Sequence, residues 1–402
     1  IGMVWGKFAS KDSYKNPLSS ISESLSLRSG SSDNYKMGGS LSYDQWFRGD
    51  VSFFGGFQYN FPKLKGLKFK VEYDPIDYLD LSARNRPDAE IKLRQKDSNI
   101  NFGFSFPYNN FLTIDASYIK GNTLKSIISN TGTLKANGGI IKLSAATAKH
   151  LSRASVNIGS SGSIVARSLD NKSGKIVIGS PINNKIKIAG NIDVSGQKSL
   201  SPSGTLIVKG RSVTHSGNIY ARGSSGGHVN IISKDILKLN GSIIANGQKE
   251  NGGSVIFMSE NSIKSLPKVV VDASGLNKGG EIRSLAKTIN STSGTYKANS
   301  AGGYGGIIDV TANQVEISSA SIEAKGKTMG GKVRIGGDYL GGKKLTIADK
   351  KNIQGFASRF ADQPSIKNSK QTIVKADANI DVSSENGQGG TTVVWSDQMT
   401  DF

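Results

Sequence analysis

The 402-residue sequence contains no cysteine. Disulfide frameworks, thiolate metal sites and cysteine nucleophiles are therefore excluded. A large, strand-rich chain without cysteine fits a secreted or surface bacterial protein, which must cross an oxidising periplasm unfolded. Proline is scarce at 9 residues and histidine scarcer at 3. No apolar run reaches the ~18 residues of a membrane helix. Periodicity of the helical kind is missing, which argues against helical repeats. What remains is 49 glycines, with Ser, Asn and Thr, between short Val/Ile/Leu runs. Disordered chains lack such runs, so the composition reads as many short strands joined by tight turns. The chain opens at Ile1 with no signal peptide ahead of its first strand, and it reads as an internal fragment.

Charge of one sign is also in short supply. The formal net charge is +20, made of 51 Lys+Arg against 31 Asp+Glu. Residues 1–122 hold 16 basic and 13 acidic side chains, leaving residues 123–402 with 35 and 18. The excess therefore sits in the second part. Such a balance favours nucleic acid, anionic polysaccharide or lipopolysaccharide, or simply a solvated surface. The basic residues are mostly single lysines. No arginine cluster with interleaved aromatics is present, so nucleic acid is not an expected partner.

Glycine pairs recur down the second two-thirds at a nearly fixed step. They fall at Gly226-Gly227, Gly252-Gly253, Gly279-Gly280, Gly305-Gly306 and Gly330-Gly331. A period of this size means one unit stacked on the next. A typical unit is residues 241–266. In it Ile243-Ile244-Ala245, Ser254-Val255-Ile256-Phe257 and Ser262-Ile263 are three short strands. Turns needing positive φ account for the Gly and Asn between them. Inward Val, Ile, Leu and Ala of successive units stack, and three strands per unit make a parallel β-helix. About nine or ten coils give a rod roughly 45 Å long. The five glycine pairs are expected on one side of the stack. One long excursion, 338–371, interrupts the repeat.

The first third has a different character. In LKFKVEYD, Leu67, Phe69, Val71 and Tyr73 alternate with Lys68, Lys70, Glu72 and Asp74. Alternate residues of a strand point to opposite faces. The pattern repeats at Val51, Phe53, Phe57, Tyr59 and Phe61, at Ile100, Phe102, Phe104 and Phe106, and at Leu112, Ile114, Ala116 and Tyr118. An aromatic face opposite a charged one suits a wall between lipid and water. A soluble antiparallel sheet with one solvated face fits too. Five or six strands fit before residue 122, fewer than the ~8 of the smallest closed membrane barrel.

Several blocks in this region form a recognisable series. They are Val4-Trp5-Gly6, Asn16-Pro17-Leu18, Gln45-Trp46-Phe47-Arg48-Gly49, Phe53-Phe54-Gly55-Gly56-Phe57-Gln58-Tyr59, Val71-Glu72-Tyr73-Asp74, Asn99-Ile100-Asn101-Phe102-Gly103 and Gly121-Asn122-Thr123. On these residues, 2–123 resemble YjbH-like outer-membrane proteins linked to exopolysaccharide production. The resemblance implies an outer-membrane β-barrel and a role in polysaccharide export or assembly. A second series is Ser129 to Gly139, Gly190-Asn191-Ile192-Asp193-Val194-Ser195-Gly196, Gly330 to Gly342 and Val393-Val394-Trp395-Ser396-Asp397. On these, residues 124–402 resemble the filamentous-haemagglutinin-type exoproteins of two-partner secretion. That resemblance implies a right-handed parallel β-helix, export through a dedicated outer-membrane pore, and adhesion.

Catalytic constellations are hard to find. Parallel β-helices host polysaccharide lyases and glycosidases, which need paired carboxylates, or clustered acids around calcium. Here Asp193, Asp235, Asp272, Asp309, Glu316 and Glu323 stand apart in sequence. Asp272 and Asp309 sit at different offsets in the repeat and are expected on different faces. His150, His215 and His228 lack metal-ligand spacing. His215 and His228 are one coil apart at best, and read as surface residues. The glycines at 223–227 lead into no Gly-Lys-Ser/Thr, so they form no phosphate loop. Calcium-binding Gly-Gly-x-Gly-x-Asp nonapeptides are missing.

The expectation is an all-β protein: a right-handed parallel β-helix over 124–402, preceded over 1–123 by an antiparallel, barrel-like sheet fragment. The expected function is that of a surface-exposed or secreted adhesin. The alternatives are an outer-membrane component of exopolysaccharide export and, third, a β-helix carbohydrate-active enzyme. Neither enzymatic activity, cofactor nor metal is expected. Partners are a cell-surface or glycan ligand, a secretion pore and, for 1–123, the membrane. The location is the outer membrane or extracellular surface of a Gram-negative bacterium. Candidate contact residues are Trp46 and Arg48, which also suit a membrane-interface anchor beside a turn. In the excursion they are Tyr339, Phe356, Arg359 and Phe360, which also suit a cap over one side of the coils.

Overall fold

The computed structural model describes residues 1–5, 14–26, 47–64, 66–75, 98–119, 123–145, 152–169, 172–179, 184–197, 201–343 and 364–402. Among these there are strands and short 3₁₀ turns but no α-helix. The chain divides into two compact units. One comprises residues 1–108, 114–126 and 147–153; the other comprises 109–113, 127–146 and 154–402.

In the first unit, β1 (Gly2–Trp5), β2 (Val51–Phe61), β3 (Leu67–Tyr73) and β4 (Ile100–Pro107) pair antiparallel in that order. The strand β5 (Leu112–Ile119) follows, with Tyr118 5.3 Å from the Phe102 ring. Cross-strand register puts Phe57, Val71 and Phe102 in one row and Tyr59, Phe69 and Phe104 in the next. Apart from Phe54 of β2, the large apolar residues of all three strands thus share one face, as their alternation predicts. The opposite face carries Gln58 and Lys70 beside Gly103, and Glu72 beside Asn101. At the edge, Asn16 is buried. Its Nδ2 donates to the carbonyls of Leu25 (2.9 Å) and Phe47 (2.6 Å), while its Oδ1 accepts from Leu18 N–H (3.0 Å). The Asn-Pro-Leu block is therefore a clip that fixes the chain ahead of β2.

The second unit is a parallel β-helix of about nine coils. Each coil contributes one strand to each of three faces. Face A runs from Thr133–Lys135 through Ser163–Val165, Asn191–Asp193 and Asn218–Tyr220 down to Asn379–Asp381. Face B runs from Ile140–Leu143 through Lys175–Ile178 to Thr391–Val394. Face C runs from residues 154–158 to Met399–Asp401. In the coil at 241–266 the strands are Ser242–Ile244, Ser254–Ser259 and Ser262–Ser265, matching the sequence reading.

Inward side chains stack in columns. Ile164, Ile192, Ile219, Ile243 and Val271 form one on face A, and Leu206, Val229, Val255, Ile282 and Ile308 form one on face B, all essentially unexposed. A single coil cannot bury its apolar side; each does so only against its neighbours.

The glycine pairs also stack, at the end of the corner between faces A and B. Ser254 N–H bonds to Gly227 O (2.9 Å), Glu281 to Gly253 (2.9 Å), Ile307 to Gly280 (2.9 Å) and Lys332 to Gly306 (2.9 Å). The expected alignment holds, but its reason differs from the sequence reading. None of these ten glycines has left-handed φ; among the described coil residues that conformation belongs to Gly138, Gly179, Gly294, Gly336 and Ser319. The requirement is close approach. A Cβ on Gly253, Gly280, Gly306 or Gly331 would fall within 3.0 Å of the carbonyl oxygen of the preceding coil's glycine.

The excursion leaves face B after Ile335 and rejoins face C at Gln371, where Gln314 pairs with Gln371. Its described ends, 338–343 and 364–370, are tied to the coils through Arg334. This side chain is 1% exposed. Nε and Nη2 donate to the two Asp309 oxygens at 2.8 Å each, while Nη1 donates to Asp338 Oδ1 (2.7 Å) and Pro364 O (3.1 Å).

Candidate functional site

The corner between faces A and B is the most functional-looking part of the coils. At its start, each coil turns one small apolar side chain inward: Ala166, Val194, Ala221, Ala245, Ala273, Ala298 and Ala324 are all unexposed. Strand alternation then forces the next residue outward. Those outward residues are Asn137, Arg167, Ser195, Arg222, Asn246, Ser274, Asn299, Lys325 and Ser383. A backbone ladder aligns them. Ser168 N–H bonds to Ser195 O (2.9 Å), Gly196 to Arg222 (2.7 Å), Gly247 to Ser274 (2.9 Å) and Gly275 to Asn299 (2.9 Å).

The small polar members of this column reinforce the large ones. Asn137 Oδ1 accepts from Arg167 N–H (3.3 Å) and Ser195 Oγ from Arg222 N–H (3.2 Å). Further along, Ser274 Oγ accepts from Asn299 N–H (3.2 Å), and Asn299 Oδ1 from Lys325 N–H (2.7 Å). The backbone beneath each cation is thereby fixed to the coil before it.

Two clefts open along this corner, and their electrostatics differ. The first, about 500 Å³, is lined by Arg167, Asp193, Gln197, Tyr220, Arg222 and Gln248, among others. Asp193 Oδ2 holds Arg167 through Nε and Nη2, both at 2.7 Å. The Arg222 guanidinium lies 4.8 Å from the Tyr220 ring centroid and has no carboxylate partner among the described residues. One net positive charge is thus left facing solvent. The second cleft, about 360 Å³, is lined by Ser274, Asn299, Ser300, Lys325, Ser383 and Glu385, among others. There Lys325 lies 3.2 Å from Glu323 and 3.5 Å from Asp381. The Glu323 hydrogen bond raises the lysine's pKa. Glu323 moves down: burial pushes it up, but Asn299, Lys325 and Lys297 more than offset that. The lysine of this cleft is neutralised internally, so the cleft carries no positive surplus for an anionic ligand.

The acids that stood apart in sequence are engaged in space. Asp193, Asp272 and Asp381 each accept the N–H two residues on, from Ser195, Ser274 and Ser383, at 2.9 Å. The repeated Asp-x-Ser at 193, 272 and 381 was the sequence signal for these turns. Asp235 pairs with Arg211 at 2.6 Å. Asp272 on face A and Asp309 on face B lie on different faces, as their offsets required. His215 and His228 are not one coil apart; they lie on faces C and B, respectively. Nor is His215 a surface residue, being 0% exposed. Among the described residues, no group of three or more His, Asp or Glu is placed to hold a metal ion.

Of the contact residues read from sequence, Trp46, Phe356, Arg359 and Phe360 lie outside the described residues. Arg48 is half-buried beside Phe47, whose ring packs edge-on against Trp5 at 5.1 Å. Tyr339 is half-buried in the 3₁₀ turn that opens the excursion. Tyr339 is not among the residues lining either corner cleft. The grouping of Arg167 with Tyr220 and Arg222 went unnoticed because Arg167 lies more than fifty residues before the other two and only the coil stacking brings it to them.

The HMW1 secretion domain from Haemophilus influenzae, a solved structure, aligns over 74% of this chain and 87% of its own, at 14% identity and a TM-score of 0.31. Over 123 residues the chain is 34% identical to the uncharacterized lipoprotein YjbH of Escherichia coli (strain K12). That stretch is 31% of this chain, and it spans 16% of the relative's length. Residues 1–197 match the model of a family described as exopolysaccharide biosynthesis protein YbjH. The resemblance of the first third to YjbH-like proteins is thereby borne out, and the family match runs beyond the antiparallel sheet into the first coils of the β-helix.

Proposed function

We propose that this chain is a non-enzymatic cell-envelope component of exopolysaccharide assembly, held at the outer membrane by its antiparallel sheet. The observation that carries this reading is the two-faced sheet. Phe57 is 62% exposed, and Tyr59, Tyr73, Ile100, Phe102 and Phe104 are exposed beside it. So large an apolar face is costly in water and suits lipid contact. No helix among the described residues is long and apolar enough to cross a membrane; crossing by strands is a separate matter. The family matched by residues 1–197 supplies the polysaccharide part of the reading.

Co-flotation of the full chain with phospholipid vesicles tests it. A cationic side chain near the bilayer midplane costs ~2–4 kcal/mol on a lipid-facing strand position. Phe57→Arg with Phe102→Arg should therefore abolish flotation and lower cell-associated exopolysaccharide, while Gln58→Arg on the other face should change neither. A double variant that floats like the unmodified chain would sink the membrane reading.

Surface adhesion is the second reading. It is favoured by the coils, whose repeated rungs give a long side surface rather than an enclosed pocket. Export through a dedicated outer-membrane pore belongs with it. Loss of cell adherence on removing the chain, with exopolysaccharide output unchanged, would place adhesion first. A carbohydrate-active enzyme is least supported, because Asp193, Asp272, Asp309 and Asp381 are committed to turns or arginines.

A further inference from the structure

The geometry points to a binding site for an extended acidic polysaccharide along the corner between faces A and B, with Arg222 and Arg167 taking uronate carboxylates. This inference rests on the reading above for the kind of polymer expected. The site itself rests on the first cleft.

Three features select the ligand class. The charge is the first. Arg222 has no carboxylate partner among the described residues, and Arg167, paired with Asp193, is still half exposed at 48%. Arginine forks match carboxylates with two parallel hydrogen bonds. Spacing is the second. Arg167 and Arg222 occupy the same column two coils apart, so their backbones are ~10 Å from one another along the stack. One coil rises about as far as one pyranose residue in an extended chain, so alternate sugars meet the two arginines. The third is what surrounds them. Gln197 and Gln248 line the same cleft and offer amides, both donor and acceptor, to sugar hydroxyls.

Each arginine is also held in place from below. Asp193 orients the Arg167 guanidinium, and the Tyr220 ring orients that of Arg222. A nucleic acid fits less well. Its backbone calls for many cations and its bases for free aromatic faces, whereas this cleft has two arginines and one ring, already covered by Arg222.

Equilibrium binding to the full chain tests the site. The probes are oligouronates of two to eight sugars, neutral glucan oligomers of the same lengths, and a single-stranded oligonucleotide. Affinity for oligouronate should rise with length to about four sugars, the number of coils lining the cleft, and then level off. Arg222→Gln should weaken it about tenfold, the scale of one charge-assisted hydrogen bond. Lys264→Gln on face C should leave it unchanged, and circular dichroism should show every variant folded. Three results would overturn the site: no binding by the unmodified chain, equal loss on Lys264→Gln, or oligonucleotide binding as tight as oligouronate. A chain that floats with vesicles yet ignores oligouronate refutes this site alone. One that binds oligouronate but does not float refutes the membrane reading alone.

Discussion

His215 stands in a column of aliphatic side chains, paired in register with Ile188 on one side and Leu239 on the other. Neither ring nitrogen has a well-formed hydrogen bond. Burial lowers its pKa from 6.5 to about 4, and the Gly217 backbone offsets only part of that. The folded state therefore holds this ring neutral while the unfolded chain protonates it. A lowered basic pKa leaves stability complete above pH ~6.5 and removes it as pH falls toward 4, by up to ~3 kcal/mol. Thermal melts at pH 7, 5.5 and 4 should show this loss. His215→Leu, which continues the aliphatic column, should flatten the profile without lowering stability at pH 7. A variant whose acid sensitivity is unchanged would show that the histidine is not its source. At Gly280 the constraint is contact rather than charge. A Cβ there would strike Gly253 O and Ala273 O, whereas one at Gly389 meets nothing within 4 Å. Gly280→Ala should cost ~1–3 kcal/mol in urea unfolding by forcing two coils apart, and Gly389→Ala close to nothing.

At the scale of elements, the β-helix is uniform except where the excursion joins it. Arg283, Asp309 and Arg334 occupy successive rungs of face B at one register position, which points outward from the core. Asp309 and Arg334 are nonetheless buried, because Asp338 and the segment at Pro364 cover them. Thr311 Oγ1 donates to Lys367 O, and Asn368 Nδ2 to Gly341 O (3.0 Å), closing the described ends of the excursion on each other and on the coils. A single guanidinium thus ties three segments. Removing one partner of a buried ion pair costs ~3–5 kcal/mol, since a carboxylate stays behind uncompensated. Arg334→Met should lower the urea midpoint accordingly and expose residues 338–343 and 364–370 to protease. Arg334→Lys should recover only part, because an ammonium cannot span both Asp309 oxygens. Equal stability of all three proteins would remove the anchor from the account. The sequence was read as interrupted over 338–371, and in the structure the flanking strands end at Ile335 and resume at Gln371. The anchor was not legible, because Asp309 is 25 residues from Arg334 and meets it only by coil register.

For the molecule as a whole, two different solutions to burial lie in one chain. Among the described residues the antiparallel strands leave an aromatic face exposed, whereas the coils bury their apolar columns against each other. The difference also explains where the charge lies. Residues 123–402 carry most of the excess of basic side chains, and most outward positions of a solenoid face water. Most of those cations are scattered, and some, such as Lys297 beside Glu323 and Lys325 beside Asp381, are neutralised across coils. Among the described residues, the first corner cleft gathers arginines into a shape that a polymer could follow. Flotation and oligouronate binding, described above, address these two surfaces separately.

Periodicity alone determined the architecture. The glycine step and the three short apolar runs per unit specified a parallel β-helix, since a repeat that cannot bury its own face must stack. Alternation alone likewise determined the two-faced sheet of β2, β3 and β4, because the side-chain period of a strand is two. The coil register was decided only in three dimensions. It converted glycines expected for turn conformation into glycines needed for contact, and a histidine read as exposed into a buried one. Register also brought Arg167, Tyr220 and Arg222 to one corner. The separation of Arg167 from Arg222 does not fix that by itself, because adjacency across coils depends on the length of every intervening turn.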